Sequence, residues 1–174
     1  MSKYKIAVVG PESSGKSVLV KELASHFNGG SVDEFARHYL EDLDRPYNYE
    51  DLLAIATKQK ELEEKAFSKT RQFLFCDSSL LTMKVWCDDK FGKCHEWIDG
   101  HYDKEGFDLY LLCSPDLDWE PDPMREDEMR RDYLFRVYKQ HLQKSELRFK
   151  VVKGQGSARL NLAVNFVEEL MNQQ

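Results

Sequence analysis

Three features of the chain predict an α/β domain built on a buried parallel sheet. Short, almost wholly apolar runs alternate with longer stretches of helical period. Those runs lack the in–out alternation of a half-solvated antiparallel sheet and read instead as strands covered on both faces. The first run also stops at a glycine-bounded loop that opens straight into a helical stretch. At 174 residues and 41% apolar content, residues 1–174 fit a single domain. A chain of that length buries roughly 70% of its unfolded surface and needs no disulfide or metal staple.

Lys5–Val9 is the first strand, ended by Gly10. Lys16–Phe27 follows as a helix, with Leu19, Leu23 and Phe27 four residues apart and Val20 and Ala24 beside them. Asn28-Gly29-Gly30 ends it, since glycine tolerates the left-handed cap. Ser31–Glu34 is a weak second strand leading into a helix over Phe35–Asp42. After the loop Arg45–Tyr49, the longest helical pattern spans Glu50–Lys69, with Leu52, Ile55, Ala56, Leu62 and Ala66 on one stripe. Its Glu61, Glu63, Glu64 and Lys65 read as a solvated face. Gln72–Cys76 is a central strand, Leu80–Trp86 a helix, Leu109–Cys113 and Phe149–Val152 two further strands, and Ala158–Met171 a closing helix. Between the last strands, residues 116–131 are rich in proline and charge, as a lid would be.

The net charge of −6 and pI near 5.4 argue against nucleic acid as a partner, because phosphates want a basic face. No apolar run approaches the ~18 residues of a membrane span. Cys76 and Cys113 lie in apolar runs and read as buried thiols. Cys87, Cys94 and His95 suggest a partial metal site, but no C-x-x-C accompanies them and packing is the simpler reading. A reducing cytoplasm fits this cysteine usage.

Gly10-Pro11-Glu12-Ser13-Ser14-Gly15-Lys16-Ser17 matches G-x-x-x-x-G-K-[ST], and it sits between a strand and a helix as its mechanism requires. Gly10 and Gly15 let the backbone fold around phosphate. Ser13, Ser14 and the helix N-terminus present donors to the anion. Lys16 reaches the β- and γ-phosphates of ATP and Ser17 holds Mg²⁺. Asp77, at the end of the Phe73–Cys76 run, is placed to hold Mg²⁺ or an acceptor hydroxyl, with a helix cap as the alternative role. Ser78 stands where ATP-driven motors carry a water-activating glutamate, and no Asn-Lys-x-Asp guanine motif occurs. Both observations favour a kinase.

Glu34 and Arg37 follow the second strand, at the sheet edge where ligands bind in open α/β folds. Either they serve the acceptor or they form an exposed ion pair. Arg125, Arg130 and Arg131 in the lid segment supply positive charge for phosphoryl transfer, or else pair on a solvated helix. Gln155, in Gly154-Gln155-Gly156-Ser157, marks a loop for adenine, unless Ser157 is simply a helix cap.

The ordered set GPESSGKS, DEFARHY, YEDLLAIATKQ, FLFCDSSLLTMKVW, WEPDPMRE and RRDYLF resembles the ribosylnicotinamide kinase domain of bacterial NadR-type proteins, over nearly the whole chain. The resemblance implies a P-loop NTPase fold with a five-stranded parallel sheet in the order 2-3-1-4-5, helices on both faces and a short arginine-bearing lid. It implies transfer of phosphate from ATP to the 5′-hydroxyl of nicotinamide riboside. It further implies Lys16 and Ser17 for ATP and Mg²⁺, Glu34, Arg37 and Asp77 near the acceptor, and Arg125 with Arg131 in the lid. Trp86 and Trp119 become candidates to stack on the cationic ring. The chain begins at its first strand, so no adenylyltransferase or repressor activity is expected of it. A kinase for another nucleoside or small metabolite, and a slow ATP-hydrolysing regulatory module, stay open at this point.

Overall fold

The computed structural model describes residues 2–173. Its strands are β1 (Tyr4–Val9), β2 (Gly30–Val32), β3 (Phe73–Asp77), β4 (Leu109–Cys113) and β5 (Phe149–Val152). All pair in parallel, in the order β2-β3-β1-β4-β5. Every residue of β1, β3 and β4 is buried. That is why these strands read as unbroken apolar runs: helices cover both faces of the sheet.

The helices are α1 (Lys16–His26), α2 (Phe35–Glu41), α3 (Tyr49–Lys69), α4 (Leu80–Phe91), α5 (Glu96–His101), α6 (Arg131–Lys144) and α7 (Gly156–Met171). On one face Leu19, Val20 and Leu23 of α1 and Ala163 and Val167 of α7 pack on Ile6, Val8, Phe75 and Leu111. On the other, Leu52 and Ile55 of α3, Leu81 and Val85 of α4, and Leu134 and Tyr138 of α6 pack on Ala7, Val9, Tyr110 and Leu112. α3 starts at a reciprocal cap: the Asn48 side chain accepts from the amides of Glu50 and Asp51, and Asp51 accepts from the Asn48 amide at 2.7 Å. Among the described residues no helix is long and apolar enough to cross a membrane.

Five readings of the sequence need correction. β2 is Gly30–Val32 and not Ser31–Glu34, so Asp33 and Glu34 lie beyond it. α4 continues past Trp86 to Phe91, where Gly92 ends it in the left-handed conformation. α5 and α6 carry no expectation from the sequence. Ser157 caps nothing, because α7 begins one residue earlier, at Gly156. Glu63 belongs to no solvated face: it is fully buried and paired with Lys5 at 3.0 Å, while Glu61, Glu64 and Lys65 are exposed as expected. The segment read as a lid is irregular up to a single 3-10 turn at Glu128–Arg130, and Arg131 already belongs to α6.

Candidate functional site

β1 delivers the chain into a loop that only glycine can begin. Gly10 has φ +141°, and a Cβ there would lie 2.8 Å from the Cys113 carbonyl oxygen of β4. At the loop's other end Gly15 has φ +75°, and its Cβ would meet Leu117 at 2.7 Å. Between them the Ser14 hydroxyl donates to the Pro11 carbonyl at 2.7 Å and the Lys16 ammonium donates to the same oxygen at 2.9 Å. The loop therefore curls around its own lysine and lines the floor of a cavity.

A residue that sequence reasoning missed braces the loop from behind. Arg159 of α7 is buried; its guanidinium donates to the carbonyls of Ser14 (2.6 Å), Ser114 (3.3 Å) and Gly154 (2.9 Å) and to the Asp116 carboxylate (2.8 Å). Within the helical pattern of α7 an arginine in the first turns reads as solvent-facing, so the sequence carries no signal for it.

The acids expected at the strand ends meet the loop. The Ser17 hydroxyl donates to Asp77 Oδ2 in a short bond. Asp77 is almost wholly buried, and its Oδ1 has no hydrogen-bond partner. Burial raises its pKa, a trend that Lys16 and the Ser17 bond oppose. Ser79, not Asp77, caps α4, accepting from the Leu81 amide. Glu34 lines the cavity and is half-buried. Burial pushes its carboxyl up to about 7; Lys16 and Arg37 pull it down, and Asp77 and Glu12 push it up. Glu34 makes no side-chain cap to α2, and the first amide of that helix, Phe35, donates to Gln59 at 2.8 Å. Its carboxylate is thereby left to the cavity.

The cavity holds about 300 Å³ and is walled by the loop, Glu34, Arg37, Thr82, Trp86, Asp89, Lys90, Arg125, Asp127 and Tyr138, among others. Its roof is the 116–131 segment, drawn onto the phosphate loop. The Glu12 carboxylate accepts from the amides of Glu126 (2.9 Å) and Asp127 (3.0 Å). Arg131 donates to the carbonyls of Ser13 (3.2 Å) and Leu117 (2.9 Å). Arg125 donates to the Glu120 carbonyl in a short bond and lies 3.4 Å from the Ser13 hydroxyl. Arg130 points elsewhere, pairing with Asp89 (2.6 Å) and Asp127 (3.0 Å). Arg37 bridges to Asp122 of the roof at 3.1 Å.

Lys16, Ser17, Glu34, Arg37, Trp86 and Arg125 line one space; Asp77 is joined to it through Ser17, and Arg131 sits beside it on the Ser13 and Leu117 carbonyls without lining it. Trp86 stacks on Tyr47, with ring centroids 6.1 Å apart, and lines the cavity. Trp119 is not among the lining residues; its ring sits beside the guanidiniums of Arg131 (5.7 Å) and Arg125 (6.0 Å). Gln155 is exposed at the rim, while its neighbours Gly156 and Arg159 line the cavity. Glu12, Thr82, Asp89, Lys90 and Tyr138 are further lining residues that the sequence reading left unnamed. Cys87 and Cys94 are free thiols, and the His95 ring stacks on Tyr49 with its Nε2 at 3.0 Å from the Tyr49 carbonyl.

Known proteins resemble this chain over its full length. An AAA domain model matches residues 5–159. The trifunctional NAD biosynthesis/regulator protein NadR of Salmonella typhimurium (strain LT2) is 28% identical over 176 residues, which cover 97% of this chain and 43% of that protein. The chain therefore spans less than half the length of this curated relative. A crystal structure of a NadR protein in complex with NR is similar in fold, with a TM-score of 0.84 at 21% identity, over 97% of this chain and 51% of that one. A NadR protein in complex with NAD and AMP-PNP gives a TM-score of 0.81 at 20% identity, over 97% and 49% of the two chains.

Proposed function

The chain belongs to the AAA domain family, and from that premise we propose that it is a kinase that moves the γ-phosphoryl group of ATP to the 5′-hydroxyl of a nucleoside, nicotinamide riboside, giving nicotinamide mononucleotide. The observation that carries this reading is the meeting of Lys16, Ser17, Glu34 and Arg125 in one cavity, with Asp77 bonded to Ser17 at its edge. The similarity to NadR, including a NadR protein in complex with NR, supports nicotinamide riboside as the acceptor.

Each part has a role in such a transfer. The glycine-bounded loop and Lys16 hold the ATP phosphates. The Ser17 hydroxyl and Asp77 offer hard oxygen donors, one of them the buried and unpartnered Oδ1, which suits Mg²⁺. When bound, that ion neutralises charge on the β- and γ-phosphates. The acceptor's 5′-oxygen forms a new bond to the γ-phosphorus as the bond to the β,γ-bridging oxygen breaks, and ADP leaves with that electron pair. The hydroxyl proton passes to Glu34, whose carboxyl, held near 7, is a competent acceptor at neutral pH. Arg125 lines the cavity and Arg131 sits beside the loop on the Ser13 and Leu117 carbonyls; together they supply the positive charge that neutralises the moving phosphoryl group.

Asp89 and Asp127 of the cavity wall are paired with Arg130 and Lys90, and Arg37 with Asp122, which leaves Glu34 as the acid turned toward the acceptor. That balance favours a substrate with a cationic ring and no phosphate, stacked on Trp86. The test is competition among nicotinamide riboside, adenosine, uridine and nicotinamide mononucleotide with Mg–ATP. Nicotinamide riboside is expected to have the highest kcat/KM. Preference for an ordinary nucleoside would leave the kinase and remove this acceptor. ATP hydrolysis that no nucleoside accelerates would remove the kinase as well.

A further inference from the structure

Glu34 lies two residues beyond β2 and Asp77 closes β3, and a buried side chain fixes the turn that follows each. Phe35, the residue after Glu34, gives its amide to Gln59 Oε1 at 2.8 Å. Gln59 is buried, and its Nε2 donates to Glu63 Oε1 at 3.1 Å. Glu63 is fully buried, and its other oxygen pairs with the Lys5 ammonium at 3.0 Å. Lys5 is itself buried, lies 3.9 Å from the centroid of the Phe107 ring and reaches the Glu105 carbonyl at 3.4 Å. Glu105, buried as well, takes the amide of Leu80 on both carboxylate oxygens at 3.1 Å. Leu80 is the first residue of α4, three after Asp77.

The first amide of the helix after each active carboxylate is therefore held by a buried side chain, and both lines converge on one ammonium. A fold needing only stability is served as well by apolar residues here, since a buried ion pair is often no better than a well-packed hydrophobic replacement. The network's reach toward the site is the feature left to explain.

We propose that Lys5, Glu63, Gln59 and Glu105 form a buried relay of positioning residues that sets Glu34 and Asp77 for phosphoryl transfer. This rests on the kinase reading. Gln59 is the member to remove, because it alone links the relay to Glu34. In Gln59→Leu the Phe35 amide loses its acceptor, the turn that carries Glu34 is no longer fixed, and the Glu34 carboxylate is released from the cavity wall toward water. There it regains solvation and leaves the charges that act on it now: Lys16, Asp77, Arg37 and Glu12.

The experiment measures two things on Gln59→Leu and wild type: turnover of nicotinamide riboside with Mg–ATP, and the titration of the Glu34 carboxyl by ¹³C NMR, assigned with Glu34→Gln. The relay predicts a fall in kcat of about tenfold, since misplacing a reacting group by ~1 Å can cost 10²-fold. The KM for ATP stays within about twofold, because the phosphate loop is untouched. The Glu34 midpoint moves down toward the ordinary carboxylate range. A folded Gln59→Leu with unchanged kcat and an unchanged Glu34 titration overturns the proposal. If that variant does not fold, Lys5→Met/Glu63→Leu decides, since it replaces the ion pair by apolar side chains and leaves Gln59 without its anchor. Wild-type stability with reduced kcat and a shifted Glu34 midpoint supports the relay; wild-type kcat and titration in this double variant overturn it. If the wild type phosphorylates no nucleoside, the kinase reading fails alone and the Glu34 titration still judges the relay.

Discussion

Glu34 is penalised by the fold for the charge that its proposed role requires. Burial holds its carboxyl at about 7, against 4.5 in an unfolded chain. A carboxyl with a raised folded pKa binds its proton more tightly in the native state. Its contribution to stability is full below about 4.5 and is lost as the pH climbs through 7. Glu34→Gln, which keeps the neutral form at all pH, should therefore raise the melting temperature more at pH 8 than at pH 5. The wild type should show a rise in kcat with pH near 7, and the same substitution should remove it. Parallel melting curves and a pH–rate profile check both. Lys16→Ala bears on the same group, because the Lys16 charge is the largest influence holding Glu34 down. That variant should lose about 10²-fold or more in turnover, as removal of a transition-state donor does elsewhere. It should keep its fold, since the ammonium's hydrogen bond is to Pro11 of its own loop. Near-normal turnover would remove the phosphate-loop assignment.

Among the elements, the roof separates two neighbouring arginines that the sequence leaves equivalent. A residue step in a helix turns ~100°, so Arg131 at the start of α6 faces the loop, while Arg130 in the turn before it faces Asp89. Arg131→Ala should lower kcat by about 10²-fold with little change in ATP affinity, provided its main interaction forms in the transition state. Arg130→Ala should leave kcat within about twofold, since a partly exposed ion pair contributes little. Steady-state kinetics with ATP binding measured separately distinguish the two, and equal losses would refute the assignment. β1, β3, β4 and β5 and α1, α3 and α7 were legible because apolar runs and four-residue spacing survive without tertiary information, whereas β2, only Gly30–Val32, carries no such run and reads from the sequence as Ser31–Glu34. α6 was not: its buried face is the thin line Leu134, Tyr138 and Leu142, set among charged residues. α5 is six residues long with only Ile98 buried, too short for any period to show.

Across the whole molecule, legibility follows sequence distance. The loop, Ser17 and the strand-end acids were readable because local spacing fixes their chemistry. Glu63 and Arg159 were not, because their surroundings are assembled from β1, the roof and the far side of the sheet. Arg159 shows what that assembly does. It ties the loop after β1 (Ser14), the end of β4 (Ser114, Asp116) and the turn after β5 (Gly154) through one planar group. Its removal would leave three carbonyls without their guanidinium donor, while the exposed Asp116 keeps the Gly154 amide. Carbonyls left unsatisfied in this way cost ~3 kcal/mol together. For a domain of this size that is a fall of about 10 °C in melting temperature. Arg159→Ala should show it. Arg159→Lys should recover little, because an ammonium on a flexible stem cannot present the fork that reaches all four acceptors at once. Thermal unfolding of the two variants is the measurement. Recovery of most of the loss by lysine would mean that one contact, and not the fork, holds the strand ends together.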